Sequence, residues 1–244
     1  MATSADTDTD TATKATEPAR SPSGPPSGPQ TTQQHAVDWL RHAIVTRALR
    51  PGERVAQEEV AERIGASVVP VREALRVLAQ EGQLTYIPRR GYFVTRLAIG
   101  DLEEIYALRK LLEERAARLA LPTLDADALE RIVIAASTCA EAAEAGEVAA
   151  ELDANRRFHF AILDAPGQTH AMRIIRLLWD STEAYRAIYY NSPVERRAAI
   201  DAHDRILDAL SAKDADALVA ELDGHRERAL AVLREILDDQ TTES

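Results

Sequence analysis

Three histidines and an asparagine stand where helical spacing turns side chains inward. Between residues 147 and 164 the apolar stripe runs Leu152, Asn155, His159, Ile162. After Asn191-Ser192-Pro193 it runs Ile200, His203, Leu207, Leu210, and in the last long segment Leu218, Leu222, His225, Ala229, Val232. Asn155 and His159 are one turn apart, so they face the same way. His203 lies about ten residues before the turn near Lys213 and His225 a similar distance after it, which in an antiparallel hairpin sets both imidazoles at one height. Imidazoles taken out of water need partners. Three that converge can satisfy one another through a divalent metal, with Asn155 as an oxygen donor. Zinc is the default for three nitrogen ligands, with nickel and manganese open. The competing reading gives each histidine its own hydrogen bond inside the core. His35, His42 and His170 lack this context and read as surface or local packing residues.

The elements that must position these groups are helical. Asp101 can cap a helix running to about Leu121, where Pro122 stops it; Asp125 starts another, to about Ala145. A third covers about 147–164, a fourth about 169–190, a fifth runs from Pro193 to near Lys213, and a sixth covers about 214–238. Six amphipathic helices with short links predict an antiparallel all-α bundle over residues 98–240. Cys139 excludes an internal disulfide and fits a reducing cytosol; it reads as a small core residue.

Residues 34–97 have a different character. Val60, Ala61 and Ile64 mark a short helix that Gly65 ends. A second helix, starting near Pro70, has the apolar stripe Val71, Ala74, Leu75, Leu78 and carries Arg72 and Arg76 one turn apart on its other side. Two β-rich runs follow, Leu84–Ile87 and Tyr92–Thr95, joined by Arg89, Arg90 and Gly91. A helix packed on one side with arginines on the other has the form of a recognition helix in a DNA major groove, and a cationic hairpin tip beside it can reach a minor groove or a phosphate. Ser67, Arg72, Arg76, Arg89, Arg90 and Gly91 are the candidate DNA contacts. The alternative is a small helical core whose surface charges are only solvated.

The charge distribution agrees with this division. The net charge is −11, yet residues 34–97 hold ten basic against seven acidic side chains, while residues 98–244 hold 17 against 29. Only the first part should meet phosphate, and a modest local surplus of positive charge suggests that two copies are needed for specific binding. Residues 1–33, rich in Thr, Ser, Asp, Pro and Gly, predict a disordered tail without the apolar core of a secretory signal. No window approaches a membrane span, so a cytoplasmic location is expected.

The ordered set PGERV (51–55), PVREAL (70–75), PRRGYFV (88–94), LRKLLEERAARLA (108–120), NRRFHFAIL (155–163), the HDRILDAL run from His203 and the spacing from Asp214 to His225 resembles the GntR family of bacterial transcription regulators, in its FCD subgroup. The resemblance covers about residues 34–240. It implies a winged helix-turn-helix reader fused to an effector-sensing helical bundle, working as a homodimer on a palindromic double-stranded operator, mostly as a repressor. It also implies a divalent metal held by an Asp or Asn and three His, which map onto Asn155, His159, His203 and His225. Val68-Val69 stands where the family often has Arg, and Asn155 where many members have Asp. A neutral amide leaves a bound cation more positive and so more welcoming to a small carboxylate effector. The resemblance places Arg109 near that pocket, suited to bidentate carboxylate binding; pairing with Glu113 is the alternative for it. Arg186, near Tyr185 and Tyr189, is a second candidate. A metal-dependent enzyme and an effectorless DNA-binding dimer are the rival functions.

Overall fold

A computed structural model describes residues 31–164 and 167–242, with side chains through Leu237. Up to residue 30, the expected disordered tail lies outside the described residues. Its assigned end at residue 33 is too late: helix α1 runs Thr32–Val45, and the Thr31 side chain accepts from the Gln34 N–H at 3.1 Å.

The N-terminal part continues with β1 (Arg54–Val55), α2 (Gln57–Arg63), α3 (Val68–Gln80), β2 (Leu84–Ile87) and β3 (Gly91–Val94). Gly65 leaves α2 at φ +65, the left-handed conformation its position predicts. Helix α3 begins two residues before Pro70, which therefore sits inside the first turn, where its missing N–H still costs no helical hydrogen bond. Two elements escaped the sequence reading. Helix α1 supplies Ala36, Leu40 and Ile44 to the core under α3. Strand β1 pairs antiparallel with β3, so the wing is a three-stranded sheet of order β1-β3-β2. Two residues are too few to show a period of two.

The C-terminal part contains α4 (Ile99–Ala120), a 3-10 turn (Leu121–Thr123), α5 (Ala126–Ala145), α6 (Val148–Leu163), α7 (Thr169–Ser181), α8 (Glu183–Tyr190), α9 (Pro193–Ser211) and α10 (Ala215–Thr242). Asp101 is the third residue of α4 rather than its cap; its Oδ2 accepts the Ala98 N–H at 2.7 Å. The bundle has seven helices among the described residues, not six. The helix expected over 169–190 breaks at Thr182, whose φ of −104 and ψ of 5 leave the helical region. The buried Thr182 hydroxyl bonds back to the Leu178 and Trp179 carbonyls at 3.3 and 3.2 Å, an alternative to the continuous ladder. The apolar pattern runs through the break, so periodicity could not show it.

One core joins α4–α7, α9 and α10 around Phe158, Trp179 and Ile206. Another gathers Leu102, Tyr106, Tyr185, Tyr189 and Leu233, and takes in Val45 from α1. Cys139 is fully buried and its thiol is pushed up to about 12 by burial, so it behaves as a core group.

Candidate functional site

Helices α6, α9 and α10 bring the three histidines of the interrupted stripes together. His159 and His203 are buried and His225 is half-buried; one nitrogen from each lies within 4.8 Å of the others. Ring centroids are 5.2 Å apart for His159–His225 and His203–His225, and 5.4 Å for His159–His203. Asn155, one turn before His159, lines the same cavity as His159 and His225. Both ring nitrogens of His159 and His203, Nδ1 of His225 and Oδ1 of Asn155 are buried and unpartnered. The alternative of separate core hydrogen bonds therefore finds no partners here. Burial holds His159 and His203 well below the ordinary imidazole range. Burial, with Arg109 and Arg226 nearby, brings His225 down to about 3. All three rings are neutral at pH 7, the protonation state that donates a lone pair.

Beside the histidines is an ionic network that the stripe argument did not contain. Glu113 is fully buried on α4. Its Oε1 accepts from Arg109 Nε at 2.8 Å and Trp179 Nε1 at 2.7 Å, and its Oε2 accepts from Arg226 Nη1 at 2.6 Å. Burial alone would raise this carboxyl, but Arg109 and Arg226 hold it below the carboxylate range. Arg226 also bonds Asp223 on its own helix. Arg109 thus lines the cavity as expected, but as a buried partner of Glu113, its guanidinium 4.2 Å from the Trp179 ring centre. The pairing with Glu113 given as the alternative for Arg109 is therefore present, within the core. Arg186 lines the same cavity and packs 4.3 Å from the same ring, without any acceptor on Nε, Nη1 or Nη2. The Arg-Glu spacing 109–113 was legible; Trp179 and Arg226 come from other helices and had no local signal.

Glu151 was also missed, although it extends the Asn155–His159 row by one turn. It is fully buried, neither oxygen has a partner, and burial pushes its carboxyl up to about 7.

The residues expected at DNA are exposed, apart from the half-buried Gly91. Ser67 precedes α3 and makes no capping hydrogen bond. Arg72 and Arg76 are exposed and share Glu73, at 3.9 and 2.9 Å. Val69 joins their face and is 57% exposed, so the apolar pair that departs from the family pattern points outward. Arg89 and Arg90 are exposed at the β2–β3 tip, and Gly91 has φ +97, a conformation that side chains disfavour. Arg54 of β1, which the sequence reading did not single out, donates from Nε to the Arg90 carbonyl at 3.1 Å and adds a cation to the wing. His35, His42 and His170 are exposed.

Comparison with known proteins agrees with this architecture. Residues 32–94 match the family described as bacterial regulatory proteins, gntR family, and residues 104–228 match the FCD domain. The HTH-type transcriptional regulator McbR of Escherichia coli K12 is 30% identical over 177 residues, 72% of this chain and 80% of that one. The HTH-type transcriptional repressor GlaR of the same organism is 26% identical over 186 residues, 72% of this chain and 84% of that one. The solved structure of E. coli McbR/YncC superimposes with a TM-score of 0.74 at 27% identity, covering 84% of this chain and 98% of that one. No helix among the described residues is long and apolar enough to cross a membrane. The chain belongs to the GntR family of bacterial regulatory proteins, with an FCD domain after its winged helix, and is a DNA-binding transcriptional regulator rather than an enzyme.

Proposed function

We propose that the protein is a ligand-responsive repressor. It binds a palindromic operator as a homodimer through Ser67, Arg72, Arg76, Arg89, Arg90 and Gly91, and leaves it when a small carboxylate enters the bundle. The observation that carries this reading is the cluster of three neutral imidazoles with unpartnered ring nitrogens, two of them lining a cavity that also holds an unpartnered arginine. The donor set fits a divalent cation: nitrogens from His159, His203 and His225, with the Asn155 amide oxygen, and zinc ahead of nickel or manganese. Such a cation, when bound, supplies positive charge that the neutral ligands do not offset and so draws an anion. Arg109 and Arg186 receive and orient that anion, while Trp179 and the tyrosines of the cavity exclude water.

The route to the DNA reader runs through α8. Arg186 faces the cavity, and its neighbour Tyr185 places its hydroxyl 2.6 Å from the Leu97 N–H and 3.2 Å from the Leu97 carbonyl, in the segment between wing and bundle. Ala184 packs against the winged-helix core. A displacement of α8 is therefore felt at the base of the wing, and α4 starts two residues after Leu97. For the dimer, Leu108, Leu111 and Leu119 form an exposed apolar row on α4, a natural surface for a second copy.

The test is elemental analysis of untagged protein followed by operator titration. About one metal per chain and weaker operator binding with a stabilising carboxylate are the expected results. Under a tenth of a metal per chain after incubation with zinc would make the histidines ordinary core groups. Unchanged operator affinity at saturating carboxylate would leave a DNA-binding dimer without an effector.

A further inference from the structure

The cations of the cavity are not equivalent. Arg109 and Arg226 share Glu113, and Arg226 has Asp223 as well. Each of these guanidiniums has a carboxylate of the chain within hydrogen-bond reach. Arg186 has none. It is 5% exposed, and Nε, Nη1 and Nη2 are all buried and without an acceptor. The Trp179 ring, 4.3 Å from its guanidinium carbon, offers a π face but no acceptor in the plane where the N–H groups point. Removing a guanidinium from water without supplying an acceptor is among the most unfavourable arrangements a folded chain can hold. Five N–H donors in a rigid fork match one carboxylate bidentately.

The cavity thus has two places that call for negative charge: the histidine cluster when a cation is bound, and Arg186. A single monocarboxylate serves one of them. We propose that Arg186 forms a second anion subsite and that the ligand is a small dicarboxylate, one carboxylate directed to the histidine cluster and the other held by the Arg186 fork. The histidine end rests on the function proposed above; the Arg186 end rests on this guanidinium alone. The open space in the cavity is about 20 Å³, little more than a water occupies, so an acid must displace lining side chains to enter and its two carboxylates belong on a short skeleton. Tyr106 and Tyr190 also line the cavity and give it aromatic surface. The alternative occupant of the Arg186 donors is water, which would give no preference for a second carboxylate.

Matched acids decide between these. Metal-loaded full-length protein is titrated, by thermal shift and calorimetry, with butyrate against succinate, valerate against glutarate and benzoate against phthalate. In at least one pair the diacid should half-saturate at a concentration ten-fold or more below its monoacid. In Arg186→Met that advantage should vanish while metal content stays at the parent value, and Arg186→Lys, a point charge without the fork, should recover part of it. Monoacids binding as well as diacids in every pair of the unmodified protein would overturn the second subsite while leaving the carboxylate reading intact. Binding by no acid in any pair would overturn both. The comparison within the unmodified chain stands even if an Arg186 variant fails to fold.

Discussion

The face proposed for DNA and the bundle cavity use the same residue type in opposite ways. On α3 and the wing the arginines are exposed and solvated, and the short links that Arg72 and Arg76 make to Glu73 cost the fold little and add little. In the cavity, Arg109, Arg186 and Arg226 are all under a tenth exposed, and each must find an acceptor or remain a liability. The contrast teaches where function and stability are separable. A charge in water can be removed with loss of binding only, whereas a charge in the core is tied to folding unless, like Arg186, it has no partner to lose.

The sharpest way to break this contrast is at Glu113. Glu113→Gln strips two buried arginines of their shared carboxylate and should destabilise by about 3–5 kcal/mol, the range for removing one partner of a buried pair. Chemical denaturation at pH 7 measures it, and a loss under 1 kcal/mol would show that water reaches the network freely. Arg72→Ala should do the reverse. Its melting temperature should match the parent, while operator affinity falls by about 1–3 kcal/mol in a gel-shift titration. Full operator affinity would remove Arg72 from the interface.

Glu151 sharpens the comparison through pH. Its folded carboxyl stands at about 7 against an ordinary 4.5. Between those values the folded chain keeps a proton that the unfolded chain releases, so this group erodes stability as pH rises from 4.5 through 7. Glu151→Gln should therefore be more stable than the parent by about 1–3 kcal/mol at pH 8, with the gap closing toward pH 4.5. The histidines work in the other direction. Their folded values lie below 6.5, so they cost stability as pH falls beneath it in the metal-free protein. A pH-independent gap between variant and parent would mean that Glu151 is ionised in the fold. The smallest effect is expected at Tyr185, which joins the two regions. Tyr185→Phe removes two hydrogen bonds to Leu97, about 1 kcal/mol of stability. It should leave acid binding by thermal shift unchanged and reduce the acid's effect on operator affinity. An undiminished effect would move the coupling route to α4.

Much of the molecule was legible because its signals are local. Gly65 and Pro122 punctuate helices through their own backbone chemistry, and the wing shows in Arg89-Arg90-Gly91 between two β-rich runs. The three histidines were legible for a related reason: a polar group on an apolar stripe is visible in one dimension, and a hairpin with equal arms sets two such groups level. The α7–α8 break was not, since Thr182 keeps the apolar pattern intact while its hydroxyl takes over the carbonyls. Strand β1 is too short to carry a pattern, and α1 passed unread.

Residue types and spacing determined that a DNA-reading winged helix precedes a helical bundle with imidazoles inside it. Tertiary structure alone decided which arginine is free. Arg109 is committed because Trp179 from α7 and Arg226 from α10 meet it at Glu113, and Arg186 is uncommitted because, among the described residues, no carboxylate reaches it. Periodicity reports which face of a helix is buried, a property of one helix, whereas whether a buried charge is satisfied depends on which atoms of distant segments arrive within 3 Å or so, the reach of a hydrogen bond.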